Sequence, residues 1–427
     1  MKNRILTERI HYYAPAINIV LAAEIGGNPG IEEMKAAIRK ALNRHEIFRS
    51  RVVLKEDGEG YYEVLPEGNA RIELRESYEP EDWKRVIYEQ ERIAFDFIHG
   101  ELVRFFLLRK PEGMQLVILA HHLAGDGLAI TYLLRDIMAA LEGPEHAYEH
   151  LPIRLCMEED FPKGTGLKHH IRMLIKLGNR RWRQQKKVFS YEEYLKMFQS
   201  YWKTRRTAVM DRMITGDELD HIREACRRHN ITMNTAITTA FLLAIQYEKE
   251  SAYAVSVRPE GYEGMGNFAS GISMEYTPVL TKSFWENAAD IQTELYKKLN
   301  NRKKKYFVLQ FMSKIEPTIM DAIFFHSYGG YQNKLTESYS AMFRYNGNPR
   351  GIGITNLTKL TIPKTYGIYS IDSLRFVAPI VSNARRIVGV VTLGDSMAVT
   401  MNYEVSGDTA RYAEEFNTAV ELLCSLE

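Results

Sequence analysis

A mixed α+β fold of two lobes, each a two-layer arrangement of helices on a sheet, is predicted by three observations. The chain has 427 residues, which exceeds the usual single-core size, so two domains of roughly 200 residues are the expectation. The periodic segments of its first third run strand, helix, strands, helix and hairpin, an order that layers helices against one sheet. A second series of helices and strands follows from about residue 211 to the C-terminus. The boundaries drawn are 1–165 for an N-terminal lobe, 166–210 for a basic helical connection and 211–427 for a C-terminal lobe.

The first strand is Ala16 to Ala23, ended by Gly26, Gly27, Pro29 and Gly30. A helix follows from about Glu32 to Arg44, with Met34, Ala37, Ile38 and Leu42 on one side. Ile47 to Leu54 and Tyr61 to Leu65 read as strands around the turn Asp57-Gly58-Glu59-Gly60. Trp83 to Ala94 reads as a helix, and Leu102 to Arg109 with Met114 to Ala120 as a hairpin. Leu128 to Leu141 has helical apolar spacing.

The stretch from Lys163 to Lys187 has nine basic residues and no acidic one. Leu167, Ile171, Leu174, Ile175 and Gly178 fall on one helical face, which suits a solvated basic helix over the join between lobes. An anionic-ligand site and peripheral contact with a membrane surface are the sharper alternatives. His169-His170 lies here without a following Asp-Gly. The second lobe opens with a helix from Gly216 to His229 and another to about Gln246, N-capped by Thr232. Ala252 to Val257 is a strand ending at Arg258-Pro259, and Gly261, Gly264, Gly266 and Gly271 mark a tight loop. Gly351 to Leu357, Leu374 to Val377, Ile387 to Leu393 and Met397 to Tyr403 supply further strands. Thr409 to Leu426 is a closing helix.

Composition narrows the class. The hydrophobic share of 45% and charged share of 26% are those of an ordinary globular protein. Lys and Arg total 56 against 54 Asp and Glu, so a net charge of +2 gives no global reason to expect nucleic acid. Cys156, Cys226 and Cys424 lie far apart with no metal-ligand spacing, which favours a reduced, cytoplasmic setting. Glu8, Arg9 and His11 break any early signal-peptide core. No stretch reaches the roughly 20 apolar residues of a membrane span, so no integral membrane segment is expected.

The stretch carrying chemistry is His121-His122-Leu123-Ala124-Gly125-Asp126-Gly127. Two imidazoles stand where a buried strand meets a loop, and strand ends in α/β sheets expose reactive side chains. Histidine exchanges a proton near neutral pH. Three readings compete. As a metal site, His122 and Asp126 would share a helical face, but Gly125 and Gly127 oppose that helix and no third ligand is near. As structure alone, Asp126 caps the next helix and the histidines pack. As a catalytic loop, only one histidine faces a cleft because successive strand residues point to opposite faces. Asp126 then holds the loop, and the glycines permit its tight return.

His-His-x-x-x-Asp-Gly resembles the signature of the chloramphenicol acetyltransferase-like superfamily, which includes peptide-synthetase condensation domains and alcohol O-acyltransferases. Ala41 to Arg49, Leu102 to Phe105, Val255-Ser256-Val257-Arg258-Pro259, Gly266-Asn267-Phe268, Ile354 to Leu357 and Val390-Val391-Thr392 are similar to further family segments in order. The likeness is weakest over about 150–210 and 283–345. It implies two chloramphenicol acetyltransferase-like lobes forming a V, with a tunnel between them. It implies His122 as general base, His121, Asp126 and Gly127 as structural members of the motif, and Arg258 as the second-lobe partner of Asp126. Thr355, Asn356 and Asn267 are candidates for tunnel lining or oxyanion contact, with sheet or turn roles as alternatives.

The implied activity is acyl transfer from a thioester to an alcohol or amine without a covalent acyl-enzyme. Two-lobe length suits an alcohol O-acyltransferase-like member, while the Asp-Phe-Gly-Trp-Gly element of plant BAHD enzymes is missing. Adenylation and carrier domains are absent from the sequence, so a stand-alone protein is expected. Acyl-CoA is the expected donor and a small molecule the acceptor. No bound cofactor and no metal are called for. The basic run 163–187 or Arg302-Lys303-Lys304-Lys305 would attract coenzyme A phosphates. A free-standing condensation enzyme, fed with acyl-phosphopantetheine by an acyl carrier protein, is the alternative. A non-catalytic docking module of the same fold is the third reading.

Overall fold

The computed structural model describes residues 3–427 except 112, 144–148, 347–350 and 382–383. Two six-stranded sheets form its frame. The first runs, edge to edge, Thr365–Tyr366, Tyr369–Val377, Asn18–Gly26, Met114–His121, Val103–Arg109 and Arg71–Glu76. The second runs Ala269–Glu275, Glu250–Ser256, Ile352–Lys359, Arg386–Leu393, Ser396–Glu404 and Thr207–Thr215. A small third sheet pairs Arg4–Ile5, Gly60–Val64 and Ser50–Leu54.

Strand Met114–His121 is buried throughout. Asn18–Gly26 and Val103–Arg109 pair with it on either side. A strand covered on both faces has no solvent side to mark with polar residues, so its sequence is a continuous apolar run. It delivers His121, opposite Asn18, to the sheet's end. Helix Gly127–Glu142 then starts at its cap, Asp126, whose side chain accepts from the Ala129 N–H at 2.9 Å.

The central strands of the second sheet are also buried on both faces. Ile387, Val391, Leu393 and Ala398 join the core of the first lobe, while Val388, Val390, Met397 and Val399 pack with helices Met233–Ile245 and Thr409–Cys424. Where the sheets meet, the Thr400 hydroxyl donates to the Phe376 carbonyl at 2.6 Å and the Asn402 amide to that of Ala378 at 3.0 Å. A Cβ at Gly389 would stand 2.6 Å from the Phe376 carbonyl oxygen, so only glycine admits this approach.

Several sequence expectations change. Leu374 to Val377, read as a second-lobe strand, pairs instead with Asn18–Gly26 in the first sheet, from Ser370 opposite Gly26 to Val377 opposite Val20. Alternation marks a half-buried strand and does not name its sheet. Ile47 lies in a 3₁₀ turn, Glu46–Arg49, before the strand begins. Gly271 belongs to strand Ala269–Glu275 rather than a loop. Leu174, placed on the packed face of the basic segment, is 64% exposed, while Ile175, Gly178 and Trp182 of helix His169–Arg183 are buried. The flanking helix Pro317–Tyr328 packs Ile319, Met320, Ile323 and Phe324 into the first core. Its Asp321 forms a fully buried ion pair with Arg9, whose Nε donates at 2.8 Å. That pair fixes the short helix Arg9–Tyr12. No helix among the described residues is long and apolar enough to cross a membrane.

Candidate active site

A cavity of about 950 Å³ lies between the lobes. His11 and His122 line it from the first lobe, and Val255, Asn267 and Thr355 from the second. Phe311, Met312, Phe343, Leu357 and Phe376 give most of its wall an apolar character.

The two motif histidines diverge at the strand end, as alternation requires. His121 points inward, buried against the rings of Phe95 and Phe97, with centroids 5.7 and 5.5 Å away. Its Nδ1 accepts from the Leu123 N–H at 3.2 Å. Burial, then the charges of His122 and Arg104, lower its pKa to about 3, so the ring packs as a neutral group. His122 is half-buried and faces the cavity. Burial also lowers its pKa, while Asp126 and Asn267 act in the opposite direction.

Asp126 ties the motif to the second lobe. Its Oδ1 accepts from Arg258 Nη2 at 2.7 Å, and its Oδ2 from the Phe268 N–H at 2.8 Å. Both ends of the ion pair are almost wholly buried. Arg258 Nη1 also donates to the Gly264 carbonyl at 2.8 Å, and its guanidinium lies 4.9 Å from the Phe268 ring centroid. Asp126 is therefore a helix cap and an inter-lobe anchor at once, so two of the sequence readings describe one carboxylate. The glycines serve close packing. A Cβ at Gly127 would meet Leu357 at 2.9 Å and Phe376 at 3.1 Å, and one at Gly125 would meet Ala129 at 2.7 Å.

Asn267, given from sequence as a tunnel candidate with a turn role as the alternative, braces His122 at two points. Its Nδ2 donates to the His122 carbonyl at 2.6 Å, and its Oδ1 meets His122 Nδ1 at 2.7 Å. Since the amide nitrogen is used by the carbonyl, the amide oxygen is the acceptor and Nδ1 carries the imidazole proton. The Nε2 lone pair is left to act as a base. Asn267 follows the positive-φ Gly266 and precedes Phe268, so the Asp126 to Phe268 bond also sets its position.

Thr355 and Asn356 both line the cavity. The Asn356 amide is spent on Asn234 Oδ1 at 3.2 Å and on the Thr358 N–H at 2.7 Å, which makes it a sheet-end brace. Sequence reasoning does not single out His11 as a site residue, although its ring stacks on His122 with centroids 4.0 Å apart. Basic side chains belong to the exposed or partly exposed part of the lining: Lys168, His170, Lys298, Lys303 and Lys304. The charge of Lys298, chiefly, pushes the Lys304 ammonium below its usual pKa. Among the described residues no cluster of three or more His, Cys, Asp or Glu is placed to hold a metal ion.

Residues 6–149 match the condensation-domain family model. A polyketide synthase-nonribosomal peptide synthetase of Aspergillus clavatus is 32% identical over 129 residues, 30% of this chain and 3% of that protein. Another, from Pyricularia grisea, is 28% identical over 131 residues, again 30% of this chain and 3% of that protein. The chain thus aligns to only a small fraction of the curated relatives' length. Among solved structures, the first condensation domain of the calcium-dependent antibiotic synthetase superposes with a TM-score of 0.66 at 11% identity, covering 100% of this chain and 97% of that one. A trichothecene 15-O-acetyltransferase from Fusarium sporotrichioides gives 0.64 at 13% identity, covering 99% and 94%. These likenesses establish the fold.

Proposed function

We propose that this chain, which has the fold of condensation domains and chloramphenicol acetyltransferase-like enzymes, transfers an acyl group from a thioester to a hydroxyl or amine held beside His122. The observation that carries this reading is the His122 ring, bound through Nδ1 to Asn267 and lining a large apolar cavity. Neutral His122 takes the acceptor's proton on Nε2 as the acceptor oxygen or nitrogen attacks the thioester carbon. The tetrahedral intermediate then re-forms its carbonyl, the carbon–sulfur bond breaks, and the thiolate receives the proton from His122. General-base help supplies about 10²–10⁴-fold, and holding both substrates in one site supplies much of the remainder.

Acyl-CoA is the proposed donor. The lysines at the cavity opening support it, because their ammonium groups suit the phosphates of a nucleotide handle. A second reading, a carrier-protein-bound acyl donor, is favoured by the condensation-domain match over 6–149. Acyl-CoA incubated with the purified chain and candidate acceptors separates the two. Transfer without a carrier is expected, and transfer seen only after loading a phosphopantetheinyl carrier would establish the second reading. A cavity of about 950 Å³ lies at the upper end of the range for ligand pockets. Bulky apolar acyl or acceptor groups are therefore expected to outperform acetyl and short alcohols in the same assay.

Asn267→Ala is expected to lower kcat by about 10²-fold, the scale of a roughly 1 Å misplacement of a reacting group. KM should change little, and the melting temperature should fall modestly, since the buried Asn267 gives up two hydrogen bonds to His122 worth about 0.5–1.5 kcal/mol each. An unchanged kcat would remove Asn267 from the positioning role.

A further inference from the structure

Helix Arg9–Tyr12 brings a second imidazole to the reaction centre. The His11 and His122 rings lie nearly parallel, with 14° between their planes. His11 Nδ1 is buried and has no hydrogen-bond partner among the described residues. A buried N–H left without an acceptor costs about 1–3 kcal/mol. An unpaired Nδ1 lone pair carries a similar cost, so Nδ1 is unsatisfied in either tautomer; the tautomer protonated on Nε2 is the one that gives the cavity lined by His11 a usable donor. Burial, then the charges of His122 and His121, hold the His11 pKa well below the ordinary imidazole value, so the ring stays neutral. In that tautomer the pair is complementary: His122 offers a lone pair on Nε2 and His11 an N–H. The buried Arg9 to Asp321 ion pair, two residues away, keeps that donor in place before substrate arrives.

We propose that His11 is a catalytic residue whose Nε2–H donates to the oxyanion formed from the thioester carbonyl; this rests on the acyl-transfer reading above. As the acceptor's lone pair adds to the carbonyl carbon, the carbonyl π electrons move to oxygen, which accepts the hydrogen bond from His11. The acceptor's proton goes to His122 Nε2. Collapse returns the electron pair to the C=O bond, releases His11, and sends the C–S pair to sulfur, which takes the proton from His122. Both imidazoles end neutral, as they began. The imidazolium formed on His122 meanwhile lies over the face of a neutral ring, an attractive arrangement. A donor already aimed at developing charge is worth more than one that must reorganise.

His11→Phe keeps a stacked ring and deletes the N–H. It is expected to lower kcat about 10²–10³-fold with KM within about threefold of wild type, the signature of a lost oxyanion donor. His11→Gln restores an N–H donor and should regain at least about tenfold of that loss. His11→Phe turning over within about threefold of wild type, with His122→Ala inactive, overturns the role of His11 and leaves acyl transfer standing. His122→Ala as active as wild type overturns the base role of His122, whereas a wild-type chain that transfers no acyl group from acyl-CoA or from a loaded carrier overturns the acyl-transfer reading itself. Should His11→Phe fail to melt cooperatively, His11→Gln is compared with His11→Met, and equal rates for those two overturn the proposal.

Discussion

Alanine at position 122 is expected to reduce acyl transfer by about 10²–10⁴-fold while the protein still melts cooperatively. Truncation removes a ring that already lines a cavity, so no sealed void is created. The stack on His11 and the bond to Asn267 disappear with it. The pH profile gives a second reading of the same role. A general base works only unprotonated, and burial holds His122 below the ordinary imidazole value of 6.5. Wild-type kcat/KM should therefore be flat across neutrality and fall only as pH drops below 6.5. The residual rate of His122→Ala should lack that acid limb. Wild-type turnover by the variant, or an acid limb centred above 6.5, would take the proton-transfer role away from His122; unchanged partner binding with no transfer to any acceptor by the wild-type chain would revive a docking module.

The strand end is legible in the sequence because its signals are local. Met114 to Ala120 is apolar at nearly every position, the Gly-Asp-Gly step follows closely, and Asp126 is a good cap. Arg258, far along the chain, is reachable only through the family likeness, which aligns Val255 to Pro259 with a known segment; the 2.7 Å contact joins it to Asp126. Asn267 and His11 show where such signals end. Asn267 lies in a Gly-rich loop and reads as a turn residue. Its second function needs the register between two lobes, which no spacing records. His11 sits in a helix of four residues, too short for periodicity to reveal a face. Within Tyr369–Val377 the sequence marks a strand but points to the wrong sheet, because pairing partners are a tertiary property. Strands Arg71–Glu76 and Thr207–Thr215 escape the sequence reading: both are edge strands with charged residues interleaved.

On the proposed reading the chemistry is divided between lobes. The first lobe supplies both imidazoles, one from a buried strand end and one from a pinned helix, whereas the second supplies the amide that selects the tautomer of the base. A site assembled in this way depends on the lobes keeping one register. The stitches at Thr400 and Asn402 join sheet to sheet, but they lie on backbone carbonyls and do not touch the loop of the base. Control of that loop falls to Asp126.

Asp126→Ala is expected to cost about 3–5 kcal/mol of stability in a urea melt, since it strands the almost fully buried Arg258 guanidinium. It also leaves the Ala129 and Phe268 N–H groups without their acceptor. Arg258→Met should cost less, because Asp126 keeps both backbone donors. A buried ion pair is often no more stable than apolar groups of similar volume, so the double variant should recover part of the stability lost by Asp126→Ala. A non-additive coupling of about 0.5–3 kcal/mol is expected for residues in contact. Activity should not recover with it. Phe268 is held by Asp126 Oδ2 and its neighbour Asn267 holds His122, so loosening the first releases the second. Both the single and the double variant should then show the roughly 10²-fold loss in kcat expected of a misplaced base. Adding Asn267→Ala to Asp126→Ala should deepen that loss no further, since the brace is already gone. Stability and kcat recovering together would mean that the ion pair acts on packing alone. Multiplicative losses from Asp126→Ala and Asn267→Ala would mean that the two act on His122 separately.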